Sequence, residues 1–74
     1  MGKKFSKVFH KKFGQHLRAL RLERGLTQEA LSLEIGTDNS YISNIENARN
    51  DIPLSRINQI AKALKIEPYK LLKF

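Results

Sequence analysis

Four residues divide this chain: Gly25, Gly36, Pro53 and Pro68. Each stands where a run of apolar residues at helical spacing stops or starts, which suggests five short helices. The first is expected from about residue 6 or 10 to residue 24. On a wheel of about 100° per residue, Phe5, Phe9, Phe13, Leu17 and Leu20 share an arc of roughly 120°, with Lys7, Lys11 and Arg18 opposite. Gly25 then takes the left-handed conformation that costs a residue without Cβ little. A second helix follows Thr27, whose hydroxyl can cap its first turn, and stops at Gly36. A third follows Asp38, another capping residue, and runs over about 39–47. The fourth starts near Pro53 with Leu54, Ile57, Ile60, Ala61 and Leu64 on one stripe, and the fifth opens on Pro68 and carries Leu71, Leu72 and Phe74. With neither strand alternation nor an internal repeat, the fold class is all-α: a five-helix bundle over 13–74, preceded by a basic extension, 1–12, that can continue into helix one.

Length and charge bound what such a bundle can do. A chain of 74 residues buries only about 60% of its unfolded surface, which leaves little for a catalytic cleft. Without cysteine it has no disulfides, thiolate zinc site or thiol nucleophile, and a reducing, cytoplasmic setting fits. No apolar run is long enough to cross a bilayer. His10 and His16 are six apart, off the i, i+4 spacing that brings two ligands to one metal, and no phosphate loop or nucleophile elbow occurs. We therefore expect no enzyme, metal or cofactor, and read His16, near the phenylalanine stripe, as a core-edge residue. The net charge is +7, and its distribution is uneven. Residues 1–24 carry eight basic side chains against Glu23 alone, while residues 25–74 balance six against six. A polyanionic partner is indicated.

Two short helices on either side of a glycine-led turn, residues 27–47, are the helix-turn-helix signature, in which the second helix is presented to the major groove of DNA. The second helix supports this. Asn39, Ser40, Ser43, Asn44 and Asn47 fall within roughly 140° of arc, and Tyr41, Ile42, Ile45 and Ala48 take the other side. Asn and Ser are weak helix formers compared with the Lys and Glu of an ordinary solvated face, and they gain only by hydrogen bonding to a surface. Asn can pair bidentately with adenine, and Ser can donate to or accept from several base edges.

At this point the sequence resembles the Cro and phage-repressor-like, or XRE-type, helix-turn-helix regulators. The resemblance covers about residues 13–72 and is carried by 17–21 (LRALR), 24–29 (RGLTQE), Gly36, 41–43 (YIS), Ile45, Glu46 and 60–64 (IAKAL). It implies a lambda-repressor-like bundle whose third helix enters the major groove, with Gln28 anchoring a phosphate and Arg21 paired with Glu46 in a partly buried ion pair. It implies a core of Leu17, Leu20, Leu31, Ile35, Ile42, Ile45, Leu54, Ile57, Ile60 and Leu64. Three positions depart from the family's pattern. Ser32 stands where alanine is common, so its hydroxyl needs a bond, expected to a carbonyl one turn earlier. Ala48 stands where glycine is usual, which would pass the left-handed conformation to Asn47. Asp38 puts a carboxylate near the expected phosphate, and is read as a cap.

The labour divides accordingly. Asn39, Ser40, Ser43 and Asn44 are candidates for base contacts, and Gln28, Thr37, Tyr41, Asn47 and Arg49 for phosphate contacts that set register. Tyr41 can equally pack beside Ile45. The partner is a double-stranded DNA operator bound by a homodimer, because one recognition helix covers too few base pairs for useful selectivity. Tyr69, Leu72 and Phe74, an apolar chain end, are the dimer-interface candidates, with sealing of the monomer core as their other use. No small-molecule effector is expected, and short length favours a stand-alone regulator resembling the small controllers of restriction-modification systems. Two other readings use different residues. Residues 1–6 (MGKKFS) match a myristoylation pattern beside a polybasic stretch, the makings of a membrane-surface anchor. A protein-binding adaptor of the same fold needs no DNA at all. The extension, with Lys3, Lys4, Lys7, Lys11 and Lys12, could pack through its phenylalanines or attract DNA.

Overall fold

Ser6 starts the first helix, its hydroxyl accepting the Phe9 N–H at 3.3 Å. The computed structural model describes residues 6–74. Phe5 of the aromatic stripe, Lys3 and Lys4 of the extension, and most of the myristoylation pattern lie outside the described residues. Within them the order is α1 (Lys7–Glu23), α2 (Gln28–Glu34), α3 (Tyr41–Glu46), α4 (Leu54–Leu64) and a 3-10 helix (Pro68–Leu72), with no strand. Residues 7–12 of the basic extension are thus the first turns of α1.

Each α-helix ends in the same way. The amide of the residue at positive φ bonds back to a carbonyl three residues earlier, and the next amide reaches five residues back, which is the Schellman arrangement. The pairs are Gly25 to Leu22 and Leu26 to Arg21, Gly36 to Leu33 and Thr37 to Ser32, Ala48 to Ile45 and Arg49 to Asn44, and Lys65 to Lys62 and Ile66 to Ala61. This turn needs one residue at positive φ. Gly25 (69°) and Gly36 (79°) supply it twice, as their type predicts. Ala48 (57°) and Lys65 (60°) supply it where a Cβ must be tolerated. The expectation for Asn47 is corrected: its φ is −96°, and Ala48 takes the left-handed position itself. The turn places that conformation one residue past the cap, and Asn47 is the cap.

Three further expectations change. The last element is a 3-10 helix, five residues long with an i to i+3 bond from Lys70 N–H to the Glu67 carbonyl at 3.0 Å, so the bundle has four α-helices. Helix three is six residues, not nine: Asn39 and Ser40 form the turn before it. Asp38 accounts for that shortening, since its carboxylate accepts from the Ser40 N–H (3.2 Å) and hydroxyl (3.0 Å) and closes a local turn instead of capping the helix. Leu54 leaves the core. It lies on the apolar stripe of α4, but as the first residue of that helix it sits past the end of the packed layer and is 77% exposed.

The core consists of Phe13, Leu17, Leu31, Ile35, Ile42, Ile45, Ile57, Ile60, Ala61, Leu64 and Leu71, with Leu20 partly buried against it. Gly14 allows α1 to reach α3. A Cβ at this buried position would collide with the backbone of Glu46, so the two helices touch main chain to main chain. Glycine inside a helix normally costs about 1 kcal/mol relative to alanine, yet here the missing methyl is what the packing requires. Two glycine exchanges should therefore act in opposite directions. Gly14→Ala should destabilise by about 1–3 kcal/mol despite its better helix propensity. Lys65→Gly, at an exposed left-handed residue, should stabilise by about 0.5–1 kcal/mol. Urea unfolding of the two variants checks both signs.

Candidate nucleic-acid interface

Helix α3 is too short to hold itself in place, and buried polar contacts orient it. Arg21 of α1 grips Glu46 at its C-terminal end, Nε donating to Oε2 at 2.6 Å and a terminal nitrogen to Oε1 at 3.1 Å. The other terminal nitrogen donates to the Leu26 carbonyl at 2.7 Å, and Gln28 Nε2 donates to Glu46 Oε1 at 2.9 Å. Both charged side chains are almost wholly buried. The two-point fork fixes the carboxylate in orientation as well as distance, and the amide of Gln28 ties the start of α2 to the same group.

The N-terminal end of α3 is held by Ser32. Its hydroxyl donates to the Gln28 carbonyl at 2.8 Å and accepts the Ile42 N–H at 3.0 Å. One fully buried oxygen thus satisfies an unpaired amide of the first turn of α3 and links it to α2. The back-bond to a carbonyl is the one expected of this serine; the bond from α3 is additional. Thr37 closes the turn between the helices, its hydroxyl and its N–H both donating to the Ser32 carbonyl, at 2.7 and 3.0 Å.

These bonds determine which groups remain for a partner. Asn39, Ser40, Asn47 and Arg49 are exposed, and Ser43 and Asn44 half-buried, so all six are open to solvent on or beside α3. Asn44 Oδ1 accepts from Arg49 at 3.2 Å, which turns its amide nitrogen to the remaining direction. Asn47 Nδ2 donates to the Ser43 carbonyl at 2.8 Å. Gln28 has given one amide hydrogen to Glu46, and the single hydroxyl hydrogen of Thr37 is engaged within the turn. Tyr41, first in α3, packs partly against the core, and the Arg56 guanidinium lies 5.3 Å from its ring centre. Burial pushes the phenol pKa up, with the Arg56 charge and hydrogen bonding opposing, so at neutral pH the hydroxyl is a proton donor.

Away from this face, Phe74 packs on the aromatic row of α1, with ring centres 5.5 Å from Phe9, 6.2 Å from Phe13 and 5.5 Å from His16. His16 Nε2 lies 2.6 Å from the Lys70 carbonyl. Phe74 and Leu72 are each 48% exposed and Tyr69 61%, so this chain end both covers α1 and leaves apolar surface uncovered. His10 bridges Asp51 and the Ser6 carbonyl, each at 2.8 Å. Among the described residues no group of acidic or histidine side chains could hold a metal, and no helix is long and apolar enough to cross a membrane.

With two helices locked at a fixed angle and an amide-rich strip facing outward, residues 17–71 match the family model described as Helix-turn-helix. The chain belongs to the XRE-type helix-turn-helix family. This helix-turn-helix chain is 40% identical over 63 residues to the control protein C.BamHI of Bacillus amyloliquefaciens, covering 84% of its own length and 78% of that protein. Against the immunity repressor protein of Bacillus phage phi105 it is 39% identical over 54 residues, 73% of this chain and 38% of the repressor. Its fold superposes on the restriction-modification controller protein C.AhdI from Aeromonas hydrophila with a TM-score of 0.83 at 42% identity, covering 88% of this chain and 94% of that one.

Sequence reasoning missed Gly14, the bond from Ile42 to Ser32, and Arg56. A glycine inside a helical run and a basic residue on a neighbouring helix carry no local signal of what they will meet. The two holds on α3 should differ in strength. Glu46→Ala leaves a buried guanidinium without its charge partner and should cost about 3–5 kcal/mol. Ser32→Ala orphans one buried amide and should cost about 1–2 kcal/mol. Denaturant unfolding monitored by circular dichroism gives both values, and equal losses would contradict the ranking.

Proposed function

We infer that this helix-turn-helix protein is a transcriptional regulator that binds an operator in duplex DNA with α3 in the major groove. The observation that carries this is the outward strip of short amides and hydroxyls on a helix anchored at both ends from beneath: a reading surface with its backbone immobilised. Asn39, Ser40, Ser43 and Asn44 reach base edges. Asn39 and Ser40 do so from the turn before α3, which suits a helix that enters the groove by its N-terminal end. Gln28, with its second amide hydrogen, Tyr41, Asn47 and Arg49 contact phosphates on either side. Thr37 joins them only by exchanging its bond to Ser32 for one to DNA. The excess positive charge of the first 24 residues adds long-range attraction.

Six residues of recognition helix span few base pairs, so two copies acting on a two-fold operator supply the selectivity. The half-exposed Tyr69, Leu72 and Phe74 form the surface through which the copies join. The likeness to C.AhdI, over 88% of this chain and 94% of that one, supports the small controller type; a cytoplasmic setting and the lack of a small-molecule effector complete the proposed reading.

Selection of bound sites from a random duplex pool tests the reading directly. Two related half-sites one helical turn apart, about 34–36 Å, are expected. Recovery of no enriched sequence would defeat it. On the selected operator, Asn44→Ala should reduce discrimination against random DNA by about 1–3 kcal/mol. Arg49→Ala should weaken binding to both duplexes and lower the salt slope by about 1. Titrations at several salt concentrations separate the two effects.

A further inference from the structure

We propose that Arg56 is a positioning residue for Tyr41, and that the two side chains together hold one backbone phosphate at the edge of the groove. The proposal rests on the DNA-binding reading above and adds a residue from outside the helix-turn-helix unit.

Arg56 lies in the first turn of α4, yet it reaches back across two other helices. One terminal nitrogen donates to the Ile35 carbonyl at the end of α2 (3.2 Å) and to Gln59 Oε1 (2.7 Å). Those two bonds use both hydrogens on that nitrogen and hold the guanidinium against Tyr41, its carbon 5.3 Å from the ring centre. A ring so braced has little freedom about χ1 and χ2, and its hydroxyl is kept at one place relative to Ser40, Ser43 and Asn44. The same contact that steadies the ring puts a fixed cation beside a neutral phenolic donor.

The electrostatics around Arg56 favour an added anion. Its oxygen partners, the Ile35 carbonyl, the Gln59 amide and the Tyr41 phenol, are all uncharged, and the salt bridges found among the described residues, Arg21 with Glu46 and His10 with Asp51, do not include it. The first turn of α4 contains no acidic residue, and Pro53 offers no side-chain cap. A cation in that turn opposes the helix dipole, an unfavourable placement that a bound phosphate would reverse, because the anion interacts favourably with both. Arg is suited to the task, since a planar fork can stack on an aromatic ring and still present hydrogens to a phosphate oxygen.

A double-mutant cycle on the selected operator and on a random duplex, each titrated over a range of salt, tests the proposal. Tyr41→Phe should weaken binding about fivefold and Arg56→Gln about tenfold, equally on both duplexes because phosphates carry no sequence. Arg56→Gln should also lower the salt slope by about 1. In the Arg56→Gln background, Tyr41→Phe should have almost no further effect. Arg56→Lys, which keeps the charge but not the fork, should restore the slope without restoring sensitivity to Tyr41→Phe. Circular dichroism on each variant separates loss of binding from loss of fold. Additive losses, or an unchanged salt slope for folded Arg56→Gln, would overturn the pairing while leaving the DNA-binding reading intact. A wild-type protein that binds no duplex would overturn both.

Discussion

Removing a carboxylate and a guanidinium from water costs several kcal/mol each, and the pair recovers that cost only where geometry is close to ideal and the remaining donors are satisfied. Arg21 and Glu46 meet both conditions: a two-point fork, with a third bond to the Leu26 carbonyl and the amide of Gln28 on the carboxylate. Apolar residues could fill the same space, but they are tolerant of rotation and sliding. The ion pair is not. It sets the angle at which a six-residue helix leaves the bundle, and every outward-facing group on that helix inherits its direction from this contact.

A small bundle has little apolar surface with which to define such angles, so backbone devices share the task. Four Schellman turns end the helices abruptly, and Gly14 lets α1 lie directly on the main chain of Glu46, beside the ion pair. Ser32 adds a hydroxyl hinge-pin between α2 and α3. Close approach, fork and hydroxyl all act on α3, which is the helix with the fewest residues of its own to hold it. The bonds that hold α3 are thus concentrated beneath the surface proposed to read DNA, while the apolar chain end proposed for dimerisation lies on the α1 side.

What could be read in advance depended on the range of the interaction. Helix limits at Gly25 and Gly36, the Thr27 cap and the stripe from Ile57 to Leu64 follow from neighbours within one or two turns, and they stand in the structure. Leu54 misled because a helical wheel records angle and not depth: the right face at the wrong height is solvent-exposed. Asp38 misled because a capping residue can close a local turn with Ser40 as readily as start a helix. Asn47 misled because its own tolerance of positive φ mattered less than its place in the hydrogen-bonded turn, which assigned that conformation to Ala48.

The order of residues by itself determined the all-helical class, the places where helices break, the excess of basic charge at one end and the amide-and-hydroxyl composition of the strip around α3. These are properties of composition and short spacing, set by backbone conformational preferences that act within a few residues. Tertiary structure alone decided which amide Ser32 accepts from beyond its own helix, that Gly14 is a contact and not a defect, that Arg56 rests on Tyr41, and that Gln28 gives one of its amide hydrogens to Glu46. Each depends on groups ten or more residues apart meeting within hydrogen-bonding or van der Waals range, and such meetings exist only once the helices have packed.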